Sequence, residues 1–315
     1  MELDKVQWQR DIFKRGWRVV KYFIIGAILL FGGIGFIGWV KKGQFIEESV
    51  QEIALGTASE PMPISLEPVV AEPEVDRIPQ LFATGSKQLS IVETVSFTSR
   101  VPWLKGRPAW ISDYASHYQT SRHFIARSLN GKADYLTQKI HPGDRFNVFK
   151  QGKDIRFHLL VDLAQCKMWF YYLDGSEKVL LKTYRVGVGK KDSVSTSGSL
   201  TPIGKYGLGE KVAIYKPGVI GHFQDQEVEM IRIFGTRWLP FEEEIDGCSE
   251  PAKGFGIHGV PWVVGADGQM VEDVSQIGRL NSDGCIRMAS SDVEEIFAIV
   301  ITKPTTVEIV KEISQ

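Results

Sequence analysis

Apolar and polar positions fall into three textures along the chain. The first is YFIIGAILLFGGIGFIGWV, Tyr22 to Val40, a run without a charged residue. As a helix it spans about 28 Å, close to the hydrocarbon core of a bilayer. It has no polar face for a soluble core helix, and no small-x-small cleavage site follows, as a signal peptide would need. Arg10, Lys14, Arg15, Arg18 and Lys21 precede it, whereas Lys41 and Lys42 and then Glu47 and Glu48 follow. That charge bias keeps the N-terminus cytoplasmic and puts the rest outside. Trp17 and Trp39 stand near the two ends, as interfacial anchors do. The expectation is a single-pass inner (cytoplasmic) membrane protein whose bulk faces the periplasm or another wall space.

The second texture has no period. SEPMPISLEPVVAEPEVDRIP mixes prolines with glutamates, the composition of an extended tether. The third is folded. In WISDYASHYQTSRHFIARSLN, Ile111, Ala115 and Tyr118, then Phe124, Ile125 and Leu129, recur at helical intervals. KIHPGDRFNVFK then reads as a Pro142-Gly143-Asp144 turn and an alternating strand. From about 155 the pattern is mostly β: IRFHLLVDL, CKMWFYYL, an Asp174-Gly175 turn into KVLLKTYRVGVG, the SLTPIGKYGLG turn and strand, and a closing TTVEIV. Ser291 and Glu294 read as a capping box, starting a helix whose Val293, Ile296, Phe297 and Val300 share one face.

Composition narrows the function. The 315 residues carry a net charge of −1, so nothing marks a nucleic-acid partner. Three cysteines allow at most one internal disulfide, and no zinc-type spacing occurs. Cys166 opens a strand and is expected to be buried. Cys248 lies in an acidic loop, and pairing of the two stays open. Cys285 stands apart in NSDGCIRMA, at a Ser282-Asp283-Gly284 turn with Arg287 close by and a helix expected just beyond. A thiol near a helix N-terminus and a cation has a lowered pKa, and the thiolate is the reactive form. The turn's amides would suit an oxyanion hole. Of six histidines, His258 in GFGIHGVPW ends a strand-like run in the same domain and is the best general base.

GIHG followed by SDGCIRM, with SLTPIGKYGLG and FGTRWLPF upstream in that order, resembles the L,D-transpeptidase (YkuD) catalytic domain over roughly 155–312. The resemblance implies a mainly β, β-sandwich-like domain with a short helix after the cysteine motif, and no cofactor or metal. It implies that Cys285 attacks a peptidoglycan stem peptide after its third residue, forming a thioester. An amine of a second stem then resolves that thioester into a 3→3 cross-link. It casts His258 as base, Gly284 and Cys285 as oxyanion-hole donors, and Ser282 and Gly259 as site residues. Arg287 would support the site or hold a substrate carboxylate. Asp283 stands where the family usually has histidine; there it would tune a pKa or bind the incoming amine. The stretch between Gly259 and Ser282 is longer than usual, a candidate lid. Residues 108–150 resemble a LysM module, a glycan-binding fold, although a first strand is lacking; a helical subdomain packed on the next domain is the alternative.

The resulting organisation is 1–21 cytoplasmic, 22–40 transmembrane, 41–105 tether, 106–150 LysM-like α+β module and 151–315 catalytic domain. Partners would be stem peptides, glycan strands through the module, and the membrane through 22–40. An L,D-carboxypeptidase and a silent wall anchor are the competing readings.

Overall fold

A computed structural model describes residues 75–131 and 139–313. The expected span 22–40 and most of the tether lie outside the described residues. Among the described residues no helix is long and apolar enough to cross a membrane.

The first part runs α1 (Ile78–Phe82), β1 (Val92–Ser96), α2 (Ile111–His117), α3 (Arg122–Asn130) and β2 (Arg145–Phe149). β1 and β2 pair antiparallel, Val92 opposite Phe149 and Ser96 opposite Arg145. The tether reading of 41–105 is corrected here, because 78–82 and 92–96 are folded. The strand missing from the sequence pattern is β1. Its VETVS alternates weakly and only Val92 is fully buried, so periodicity alone does not reveal it. Ser121 caps α3 by accepting the Phe124 N–H at 3.0 Å, and Gly131 ends it with a left-handed φ of 75°.

The second part contains β3 (Ile155–Asp162), β4 (Lys167–Asp174), β5 (Glu177–Arg185), β6 (Val188–Gly189), β7 (Gly204–Leu208), β8 (Ala213–Ile214), β9 (Ile220–Phe223) and β10 (Gln226–Glu229). It continues with α4 (Ile231–Phe234), β11 (Arg237–Asp246), β12 (Gly256–Gly259), β13 (Trp262–Val264), β14 (Met270–Glu272), β15 (Leu280–Ser282), β16 (Ile286–Met288), α5 (Ser290–Val300) and β17 (Thr305–Val310). The main sheet has the order β16-β12-β11-β7-β17-β3-β4-β5, with β8 paired to β11. This is the mainly β architecture expected. The strand closing the chain inserts in mid-sheet, parallel to β3 and antiparallel to β7, and so joins the two halves.

One apolar core runs through both parts. Ile78, Phe124 and Phe149 belong to the same buried cluster as Phe157, Phe170, Phe297 and Ile309. Ser121 Oγ also donates to the Ala298 carbonyl of α5 at 2.5 Å, and the His123 ring meets Phe297 edge-on at 5.2 Å. The module therefore rests on the helix that follows the cysteine motif. Val293, Ile296, Phe297 and Val300 are all buried, as the helical period predicts. The capping box is not formed: α5 starts at Ser290, and Ala289 in the cap position makes no side-chain bond. Glu294 instead faces Arg237 at 3.4 Å, and the Ser290 N–H donates to Glu272 at 2.8 Å. A carboxylate from β14 has taken the task a local residue would have had.

Candidate active site

The site forms where β12 and β16 run parallel at one end of the sheet. Their register sets His258 beside Arg287. Cys285 lies just before β16, two residues ahead of Arg287, so strand alternation brings both to the face that carries His258. A three-residue strand thus stands between Cys285 and the helix, correcting the expectation that the thiol would lie at a helix N-terminus.

His258 is 3% exposed. Its Nδ1 lies 2.7 Å from the Gly259 carbonyl, which can only accept, so Nδ1 carries the proton and Nε2 holds the free lone pair. Phe234 stands edge-on to the ring at 5.4 Å and Trp238 flanks it at 5.9 Å. Burial is the main influence and pushes the imidazole pKa down to about 4; the Gly259 and Phe234 carbonyls oppose this, and Arg287 adds to it. The ring is neutral at physiological pH. Gly259 is itself buried and touches no open space. A Cβ there would come within 3.0 Å of the Thr236 nitrogen, and one on Gly235, whose φ is 59°, within 2.6 Å of the Gly259 backbone. Its part is to hold the imidazole and to let two backbones meet, not to touch substrate.

The turn bearing the thiol is built by Ser282. Its hydroxyl is buried, donates to the Cys285 carbonyl at 2.6 Å and accepts the Gly284 N–H at 3.2 Å. The Gly284 N–H is therefore already engaged within the turn, which speaks against the oxyanion-hole role implied for it. Gly284 has φ of 120°, and a Cβ there would meet a Phe255 ring carbon at 2.5 Å and the Leu200 carbonyl oxygen at 2.9 Å.

Cys285 is half-buried, with Sγ 3.7 Å from the Gly254 carbonyl. Burial pushes its pKa up to about 11, against the Gly256 N–H and Arg287, which lower it. The sequence reading of a lowered thiol pKa is corrected: desolvation outweighs the cation. At rest the pair is neutral thiol and neutral imidazole. Asp283 points outward, its carboxylate 2.7 Å from Lys190 Nζ, and that ammonium holds it below the usual carboxylate range. It does not orient His258.

Sequence reasoning missed Phe234, Trp238, Lys190 and Gln276. Arg287 Nη1 donates to the Gln276 side chain, and lies 3.5 Å from the Asn281 carbonyl. The long stretch after Gly259 folds as the hairpin β13–β14 and a 3-10 turn, Val274–Gln276, with the hairpin base tied to α5 by Trp262 Nε1 and Ser290 Oγ at 3.3 Å. Cys166 is buried, and both it and Cys248 are free thiols. Among the described residues no cluster of three or more metal-ligating side chains occurs.

The thiol just ahead of β16 and the neutral imidazole on β12, with Arg287 in register beside that imidazole, are the groups a cysteine acyl-transfer centre needs. Residues 156–309 match the family model of the YkuD L,D-transpeptidase catalytic domain. Among solved structures, the chain is similar to Bdellovibrio bacteriovorus Bd1075, at 16% identity and a TM-score of 0.35 over 50% of this chain and 49% of that one. It is similar to the helical cell shape determining protein Pgp2 from Campylobacter jejuni, at 18% identity and a TM-score of 0.35 over 51% and 49%. L,D-transpeptidase 3 from Mycobacterium tuberculosis matches at 13% identity and a TM-score of 0.30, over 54% and 76%. The chain thus spans about half the length of the first two structures. No curated protein matches it.

Proposed function

We propose that this protein is a membrane-anchored peptidoglycan L,D-transpeptidase that forms 3→3 cross-links. The observation that carries the reading is the tautomer of His258: Nδ1–H is fixed on the Gly259 carbonyl, which leaves Nε2 as the basic nitrogen of the ring. Substrate brings its carbonyl to Sγ. The thiol proton passes to Nε2 as the S–C bond forms, which avoids a standing ion pair in a buried site. The Cys285 N–H donates to the developing oxyanion. The imidazolium returns the proton to the departing amine of the terminal residue, leaving the thioester. An acceptor amine then attacks, gives its proton to Nε2, and the thiolate leaves and is reprotonated. Arg287 holds a carboxylate of the donor stem.

The remaining parts fit this task. The run 22–40 anchors the chain in the inner membrane with the enzyme on the wall side, and the Pro/Glu segment gives it reach. The order β1-α2-α3-β2 supports a LysM-like glycan-binding module, and Trp110, 69% exposed, offers an indole for stacking on sugar. One observation favours a silent wall anchor, namely the raised pKa of Cys285. Incubating the protein and its Cys285→Ala variant with disaccharide-tetrapeptides separates the readings by mass spectrometry. Dimers with a 3→3 link, absent with the variant, are expected. Tripeptide alone means water resolves the thioester, as in a carboxypeptidase, and no Cys285-dependent product means the anchor.

A further inference from the structure

The stretch 260–281 reaches the guanidinium of Arg287. Its 3-10 turn is seated on the backbone that carries Arg287. Gly187 and Arg287 exchange both backbone hydrogen bonds at 2.8 Å, and a Cβ on Gly187 would lie 2.5 Å from the Gln276 carbonyl oxygen. From this seat the Gln276 side chain accepts from Arg287 Nη1, and its Nε2 donates to Asp273 at 2.8 Å. Asp273 is fixed in turn by Ser275 Oγ at 2.5 Å. The chain Ser275–Asp273–Gln276–Arg287 therefore ends on a guanidinium one strand step, about 7 Å along the backbone, from the nucleophile.

Which nitrogen is tied decides what the guanidinium can do. The side-chain bonds of Arg287 within the described residues both leave from Nη1, while Nε is buried without a partner. Nη1 lies on the Cδ side, so the unused edge is Nε–Nη2, whose two parallel N–H groups match a carboxylate. Gln276 is neutral and adds no countercharge beyond those of Asp273 and Asp283 nearby, whereas a glutamate there would place one directly on the guanidinium.

We propose that Gln276, held by Asp273, is a positioning residue that turns the Nε–Nη2 edge of Arg287 toward Cys285 and makes it the carboxylate subsite of the donor peptide. The identity of that carboxylate, the terminal one beyond the scissile bond, rests on the transpeptidase reading; the anion preference of the thiol's surroundings does not.

Iodoacetate and iodoacetamide test the subsite without turnover. They alkylate the same thiolate and differ in a carboxylate against a carboxamide, so their rate ratio cancels the thiolate fraction. The ratio is followed at the Cys285 peptide by mass spectrometry at fixed pH, in the full chain, with N-acetylcysteine as the free-thiol reference. At low salt the wild-type ratio should exceed the reference about tenfold. Gln276→Met, close in volume but unable to accept, should bring it within about twofold of the reference with an unchanged melting temperature. Gln276→Glu, which keeps the acceptor and cancels the charge, should do the same, so the loss cannot come from a disturbed turn alone. A wild-type ratio equal to the reference, or a ratio unmoved by both substitutions, would overturn the proposal. With a tetrapeptide donor, Gln276→Met should raise KM and leave kcat within about twofold, and the donor's terminal carboxamide should show no such rise. A protein that makes no 3→3 product still answers the alkylation test, so the two readings fail separately.

Discussion

Cys285 and His258 are both displaced from their solution pKa values toward neutrality, the thiol to about 11 and the imidazole to about 4. Burial dominates each shift, so the free site holds no thiolate–imidazolium pair. In the free protein, alkylation of Cys285 should climb about tenfold per pH unit up to about pH 11, because only the thiolate reacts. A plateau near neutral pH, read from iodoacetamide rates, would contradict a desolvated thiol. The acid limb of activity should fall near pH 4 rather than near 6.5. The folded pKa of His258 is depressed, so its contribution to stability is present above the unfolded value and is lost as pH falls toward about 4. The candidate residues were legible, since a cysteine in a Ser-Asp-Gly turn and a His-Gly after a strand stand out in any β-rich chain. Their protonation was not, because desolvation depends on Phe234, Trp238 and Phe255, which come from other elements. Gln276 carried no signal at all. It matters only through a contact across 11 positions with Arg287.

The element that presents the nucleophile is a four-residue turn closed by Ser282 and made passable by Gly284. Its left-handed φ, the Phe255 ring and the Leu200 carbonyl leave no room for a side chain. Gly284→Ala should cost about 2–4 kcal/mol, from backbone strain and overpacking together. Urea denaturation reads it as a lower midpoint at unchanged slope, and loss of the turn should abolish reaction at Cys285. A stability within about 0.5 kcal/mol of wild type would mean the turn relaxes freely. At this scale the strand and hairpin signals were read correctly where alternation and turn chemistry agreed, as in 155–162, 167–174 and 305–310. The capping box failed because Glu272 supplied the bond that Ser291 and Glu294 were read to share. β1 escaped because its partner strand lies some 50 positions away, and pairing at that distance leaves little local trace.

Over the whole described chain, one core cluster runs through both the module and the segment 155–310, and a second, built on Phe97, Tyr114, Ile125, Phe146 and Val148, lies within the module. The rings of Phe124 and Phe149 meet at 4.6 Å, tilted by 39°, and Phe149 meets Phe157 of β3 at 5.9 Å. Segment 76–77 is clamped to β5 through the Arg77 N–H to Leu181 at 2.7 Å and Lys182 near Asp76 at 3.7 Å. Calorimetry should therefore show one transition for both parts, with calorimetric and van't Hoff enthalpies equal. Two separated transitions would contradict a common core. A module seated on α5 also holds a fixed distance from the thiol, an offset that the proposed glycan binding would use. The division of the sequence into tether, module and enzyme conveyed none of this, since composition marks boundaries and not the packing across them.

The central claim is that Cys285 forms a thioester with a peptidoglycan stem, using His258 Nε2 as the base. Intact-mass spectrometry of the protein mixed with a tetrapeptide donor and no acceptor tests it most directly. A single adduct of the tripeptide acyl group on Cys285 is predicted, released by hydroxylamine, absent in Cys285→Ala and formed at least about 100-fold more slowly in His258→Gln. A protein that shows no Cys285 adduct, or forms it equally fast with glutamine at 258, would contradict the account.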